Sequence, residues 1–332
     1  MTLRGERPDT RRTTLLGLVA GLALLGFVSL LAGRVWIGPQ ILLQPDDPRM
    51  IILLELRTPR TLLALLIGAA LGASGAAMQG YMRNPLADPG ALGVSSTAAL
   101  GAVLTLYLGV AAQSPILLAA AAMGGALAGV IALFMLAGAA SGMVTFILAG
   151  VVLQTLGGAG VAVALTLAPD PWAVSEIVNW LMGSLVDRSL ADVLIAAPPV
   201  VLGLLLLART GPALDALTLG EAGAQSLGID LGRTRLLLAA GVALATGASV
   251  AVSGVIGFVG LIVPHLLRPL VGARPSGLLA PSALGGAVLV LAADILVRLT
   301  PAAAEVRLGV AMSLLGAPFF LALLVSMRRG FA

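Results

Sequence analysis

Apolar segments long enough to cross a bilayer follow one another along almost the whole chain, and this pattern constrains its fold most. They run at roughly 13–33, 61–80, 92–109, 116–137, 145–167, 192–208, 236–253, 256–271, 278–297 and 308–326. A transmembrane helix needs about 20 predominantly apolar residues. The pattern therefore predicts an all-α polytopic membrane protein of ten transmembrane helices, a single domain over 1–332. Composition agrees: 59% of the 332 residues are apolar, 10% are charged, and the mean hydropathy is +1.08. A soluble domain carries about a quarter charged residues. The segment at 256–271 is the weakest of the ten, because Gly254, Gly257, Gly260 and Pro264 lower its helical propensity.

Three absences narrow the function. Without Cys there are no disulfides, thiolate metal sites or iron–sulfur clusters. His265 is the only histidine, so no His-rich metal centre forms and no metal site is expected. All 19 basic residues are Arg. A Walker A loop needs a Lys on the nucleotide phosphates, so any ATP that drives this chain is hydrolysed by another subunit. The high isoelectric point reflects Arg in the loops and calls for no nucleic acid.

The charged stretch at 4–12 followed by an apolar run without a small-residue cleavage site predicts a retained first span. With ten spans and the N-terminus inside, twelve of the 19 Arg lie on the inner side, namely Arg4, Arg7, Arg11, Arg12, Arg83, Arg209, Arg233, Arg235, Arg268, Arg274, Arg328 and Arg329. The positive-inside rule then places both termini in the cytoplasm. Trp36, Trp172 and Trp180 fall in or beside the outer loops, where interfacial anchors gather. Glycine is frequent (42 residues) and aromatics are few. Runs such as GAALGASGAA (68–77) and GGALAG (124–129) have the small-residue spacing that lets helices approach closely. Gly68-Ala-Ala-Leu-Gly is echoed weakly by Gly241-Val-Ala-Leu-Ala about half a chain later, in the sense expected of an inverted repeat.

Two segments are distinctive. RTPRTLLALLIGAALGASGAAMQGYMRNPLADPGALGVSS spans 57–96, and SGVIGFVGLIVPHLLRPLVGARPSGLLAPSALGG spans 253–286. Asp294, Arg298 and LGAPFFLALL (315–324) follow. In the first, Arg83, Asn84, Pro85 and Asp88 belong to a cytoplasmic turn: the prolines stop the helix and Asn84 and Asp88 hydrogen-bond the freed backbone. Asp294 and Arg298 are spaced i, i+4 in the favourable acid-first order, which predicts a structural ion pair. The loop at 209–235 is the longest inner connection. Pro212 is placed to start a short helix there, and Gly220 and Gly228 to end others.

The ordered motifs R-x-P-R, R-N-P-L-A-D-P, G-F-V-G-L-x-x-P-H-x-x-R, D-x-x-x-R and G-A-P-x-F resemble those of the FecCD family. Its members are permease subunits of ABC importers for ferric siderophores, haem and cobalamin. The resemblance implies a homodimer in the cell inner membrane that encloses one path. It also implies two ABC ATPase subunits, which bind ATP and Mg, and a periplasmic or lipid-anchored substrate-binding protein; the chain itself holds no cofactor. By the same resemblance Leu219, Gly220, Glu221, Ala224, Gln225, Leu227 and Gly228 couple to the ATPase. Arg57, Arg60 and Arg298 receive acidic residues of the binding protein, with Glu305 and Arg307 on the same rim. A gate lies at Met143, Val144 and Thr145, where the chain departs from the small hydroxyl residues of a cobalamin member. His265 is expected to be structural. The cargo reading is an iron chelate, with cobalamin as the alternative. An ion-coupled secondary transporter is the competing class, and it would need unpaired mid-membrane carboxylates that the sequence does not supply.

Overall fold

The computed structural model describes residues 8–44, 46–110, 114–138, 142–300 and 306–329. Arg4, Arg7, Glu305 and both chain ends therefore lie outside the described residues. Among the described residues the regular structure is helical. The chain runs α1 (Pro8–Leu31), α2 (Arg49–Ile51), a π-helical turn (Ile52–Arg57), α3 (Thr58–Met82), α4 (Val94–Tyr107), α5 (Pro115–Ala137), α6 (Met143–Thr166) and α7 (Pro171–Leu181). It continues through α8 (Leu190–Arg209), α9 (Gly211–Leu217), α10 (Gly220–Ser226), α11 (Leu231–Ser253), α12 (Val259–Val271), α13 (Pro275–Leu299) and α14 (Leu308–Arg329). Among the described residues, seven helical segments are long and apolar enough to cross a membrane, including one continuous stretch from Arg49 to Met82. Val94–Tyr107, Val259–Val271 and Leu308–Leu323 are apolar but shorter.

The helices sort by burial. In the apolar windows of Arg49–Met82 and α11, 78% of residues are buried, against 28% in α6 and α8. Helices α3 and α11 therefore form the centre, and the outward faces of α6 and α8 show Val and Leu to their surroundings. Each central helix packs on partners from the other half of the chain: α3 on α12 and α13, α11 on α4 and α5. Backbone approach sets this packing. A methyl added at Gly72 would stand 2.0 Å from the Ser282 carbonyl oxygen, and one at Gly75 would stand 2.0 Å from that of Gly260. Gly125 meets the Thr97 carbonyl in the same way, whereas Gly124 faces open space. Glycine here spaces helices only on their contact faces, as close packing in lipid requires.

The weak segment at 256–271 resolves into a break and a short helix. Gly254 (φ 70°) ends α11, and Phe258 enters α12 in the left-handed region at φ 68°. A methyl at Gly316 of α14 would stand 2.2 Å from the Phe258 ring, so the glycine makes room for this strained residue. One outer connection, around Trp172 and Trp180, is itself helical: it forms α7, which Asp170 caps by accepting from the Ala173 amide at 2.8 Å. Pro171 follows at its first turn, the usual start signal.

Candidate functional site

Two clusters of charged side chains sit at opposite ends of the bundle. We call the end where α3 finishes and α6 begins the inner end, after its predicted orientation, and the opposite end the outer end.

The outer cluster joins α1, α3 and α13. Asp294 is fully buried and accepts from Arg60 Nε at 2.9 Å and from Arg298 Nε at 2.8 Å. The Arg298 Nη2 also pairs with its carboxylate. Arg298 donates further to the Ser29 carbonyl at 2.9 Å and the Ser29 hydroxyl at 3.0 Å, and that hydroxyl lies 2.6 Å from Thr61 Oγ1. The predicted pair Asp294–Arg298 is therefore formed, and Arg60 joins it from 234 residues away. Arg57 is buried as well. It donates to the carbonyls of Leu30 (2.9 Å) and Leu31 (2.6 Å), which the end of α1 leaves without helical partners, and to that of Val35 (2.5 Å) in the segment after it. The three arginines that the family resemblance assigns to binding-protein docking thus also bind the chain itself, through Asp294, Ser29 and backbone carbonyls. Together with Arg34 they border a cavity of about 240 Å³.

At the inner end, Arg83 closes α3 in the left-handed conformation (φ 49°), where its amide reaches the Gly80 carbonyl and that of Asn84 reaches the Gln79 carbonyl. Pro85 follows; the Asn84 Oδ1 accepts from the Leu86 amide at 2.9 Å and the Asp88 Oδ1 from the Gly90 amide at 2.8 Å. The helix-stopping turn has the expected hydrogen bonds, though it begins at Arg83 rather than at a proline. Burial pushes the Asp88 carboxyl up, against the lowering effect of the Gly90 amide. Arg83, Asn84 and Pro85 border a cavity of about 300 Å³ with Gln79, Thr218 and Arg268. His265 lies edge-on to Phe319 with ring centroids 5.9 Å apart, a packing contact.

The loop at 209–235 folds into α9 and α10. Pro212 stands in the first turn of α9, and Gly220 (φ 91°) and Gly228 (φ 83°) flank α10 in conformations that favour glycine. Helix α10 buries Ala224, while Gln225 points out and Leu219 and Leu227 are 69% and 63% exposed at its two ends. Asp215 ties α9 to the start of α13, accepting from the Ser276 amide (2.9 Å), the Ser276 hydroxyl (2.7 Å) and Arg274 Nε (2.7 Å). Burial alone would raise the Asp215 carboxyl, but those bonds outweigh it and hold it below its ordinary value.

Glu221 of α10 accepts from Arg235 Nη2 of α11 at 3.0 Å and from the backbone amide of Met143 at 3.1 Å, both at Oε1. Arg235 Nε donates to the Tyr81 hydroxyl at 3.0 Å. The Tyr81 ring stands edge-on to Phe146 at 6.0 Å, and Phe146 lies 5.7 Å from Phe134. The structure therefore brings the predicted coupling segment and the predicted gate residue Met143 together. Val144 and Thr145 beside it are exposed. Sequence reading missed Tyr81, Phe134, Phe146 and Arg235. The clustering of scarce aromatics near the inner ends of α3, α5 and α6 was the one available signal.

The profile of the FecCD transport family matches residues 21–326. A permease protein of Bacillus subtilis, YvrB, is 40% identical over 86% of this chain and 82% of its own length. The vitamin B12 import permease BtuC of Vibrio cholerae is 41% identical over 89% and 88%. The hemin transport permease HmuU of Yersinia pestis is 40% identical over 94% and 92%. A solved structure described as an inward-facing metal-chelate type ABC transporter superposes with a TM-score of 0.85 at 32% identity, covering 95% of this chain and 99% of that one. The ordered motifs, the helical bundle and these likenesses together place the chain in the FecCD transport family.

Proposed function

We propose that the chain is the permease subunit of a binding-protein-dependent ABC importer for a large metal chelate, an iron chelate such as a ferric siderophore or haem. Two copies form the path across the cell inner membrane, each crossing it ten times with both termini in the cytoplasm. Seven helices of spanning length and three shorter apolar ones support that count. The observation that carries the reading is α10. It is a seven-residue helix beyond the spans, with exposed Leu219 and Leu227 at its ends and Ala224 seating it on the bundle. A compact helix with apolar ends suits a cleft in a separate ATPase, which would hold ATP and Mg. Met143, Val144 and Thr145 open α6 on a face left uncovered in the single chain, suited to a gate at the dimer axis.

Cobalamin is the second reading for cargo. Relatives named for vitamin B12 and for hemin stand at 41% and 40% identity, which favours neither. At the outer end, Arg60 and Arg298 share the Asp294 carboxylate and Arg57 binds backbone carbonyls beside the 240 Å³ cavity, so Arg57, Arg60 and Arg298 give this face a positive field. In this proposal the acidic lobes of the binding protein meet that field, and it sets encounter rate and orientation more than affinity. The test is uptake into proteoliposomes holding this chain, its ATPase and its binding protein, with haem, a ferric siderophore and cobalamin offered separately. ATP-dependent accumulation of one chelate is expected. Uptake by the chain alone, driven by an ion gradient, would overturn the reading.

A further inference from the structure

The start of α6 lacks a capping side chain of its own. Its N-cap residue is Gly142, with φ −71° and ψ 166°, and no side-chain cap is made there. A helix start leaves four amides without helical partners and carries a partial positive charge. The Met143 amide, one of these, is satisfied from another helix by the Glu221 carboxylate of α10 at 3.1 Å. The same oxygen holds Arg235 of α11 at 3.0 Å, and Arg235 holds Tyr81 of α3, whose ring packs against Phe146 in the first turn of α6. The Glu221 carboxylate thus bridges a short helix at the surface to the first turn of a spanning helix. Its partner Arg235 is anchored in the core, with a side chain 6% exposed against 32% for Glu221.

From this geometry we propose that Glu221 is the positioning residue that transmits displacement of α10 to the first turn of α6. Left-handed glycines at both ends let α10 shift as a unit, and the carboxylate, clamped between Arg235 and the Met143 amide, carries α6 with it. The inference rests on the permease reading, since it takes α10 as the element the ATPase moves.

Two substitutions break the link from opposite sides. Glu221→Ala removes the acceptor. Met143→Pro removes the donor while leaving Glu221 untouched. Proline is at home in the first helical position, and Gly142 already has the extended backbone that a residue before proline needs. Met143→Ala keeps the amide and serves as the side-chain control, and Glu221→Gln keeps an acceptor.

The chain has no cysteine, so spin labels at Q225C and V144C report the distance from α10 to α6 in the full chain in lipid nanodiscs. Wild type, Met143→Ala and Glu221→Gln should give one narrow distribution, and Glu221→Ala and Met143→Pro a broad one. In the assembled importer, chelate transported per ATP hydrolysed should fall about tenfold in the latter two, within the range by which one residue alters coupling between sites. Unchanged distances and unchanged transport per ATP in Met143→Pro would overturn the proposal, even if Glu221→Ala failed to fold. A wild-type importer without ATP-dependent uptake would instead overturn the permease reading, and the distance measurement would still decide the link.

Discussion

The outer and inner clusters each centre on one carboxylate, Asp294 held by two arginines and Glu221 by one arginine and a backbone amide, for opposite mechanical ends. Asp294 is fully buried and its partners lie on long helices that pack along much of their length. Glu221 is about one-third exposed and sits on a helix of seven residues. Losing a partner is costly where water cannot replace it and cheap where water can. The outer cluster is thus a brace that fixes α1, α3 and α13 together. The inner one is a joint, whose value lies in what it connects rather than in how strongly it holds.

The comparison is tested most severely by Asp294→Ala. It removes the fully buried carboxylate that Arg60 and Arg298 share, and breaking a buried pair by removing one member typically costs about 3–5 kcal/mol. The expected outcome is a large drop in melting temperature of the purified protein, or loss of accumulation in the membrane. Glu221→Ala should shift the same melt less, since Arg235 keeps its bond to the Tyr81 hydroxyl and water reaches the place of the partly exposed carboxylate. Equal shifts for the two variants would erase the distinction between brace and joint.

Arg57→Ala comes next. It removes two charge-assisted hydrogen bonds from the end of α1 and one from Val35 after it, each worth about 1.5–3 kcal/mol, with water able to replace part of them. Amide hydrogen exchange should rise in the last turn of α1 while the protection of α11, which Arg57 does not touch, stays as it was. Arg57→Lys should rescue little, because one ammonium does not reproduce the planar spread of donors. Full rescue by Lys would show that charge alone, and not the fork across three carbonyls, secures α1.

These two clusters also mark where the sequence was readable. Hydropathy placed a helix at every one of the ten apolar segments, and the i, i+4 spacing of Asp294 and Arg298 was enough to pair them. Nothing local linked Arg60 to Asp294. That contact depends on which face of α13 meets α3, and the close approach of Gly68 and Gly72 to Ser282 and Gly286 decides it. Nothing local showed that Arg57 turns inward, because the carbonyls it binds lie at and just after the end of α1, more than 20 residues earlier. In the inner loop, Pro212, Gly220 and Gly228 announced two short helices, since proline and glycine act through their own backbones. The bond from Met143 to Glu221 stayed hidden, because a missing cap at Gly142 shows only what a helix needs, not which distant side chain supplies it. Helix α7 was legible in principle: Asp170 followed by Pro171 is a cap and a first turn.

The smallest expected effect lies beside the joint, at Asp215, which fastens α9 to the start of α13. Its folded carboxyl is held below the ordinary value by Ser276 and Arg274 despite partial burial. A lowered folded pKa means that the unfolded chain binds protons more readily, so this contribution is present above the unfolded value of about 3.9. It is lost as the pH falls through the lower folded value. Asp215→Asn keeps the shape and cannot ionise, so the difference in melting temperature between it and wild type isolates this one group from every other carboxylate. That difference should be steady from pH 7 to about pH 5 and shrink as the pH falls below about 4. The effect should be modest, because Arg274 is well exposed and its attraction is screened. A difference constant down to pH 3 would mean that the Asp215 charge does not hold α9, leaving Glu221 as the ionic anchor of the two short helices.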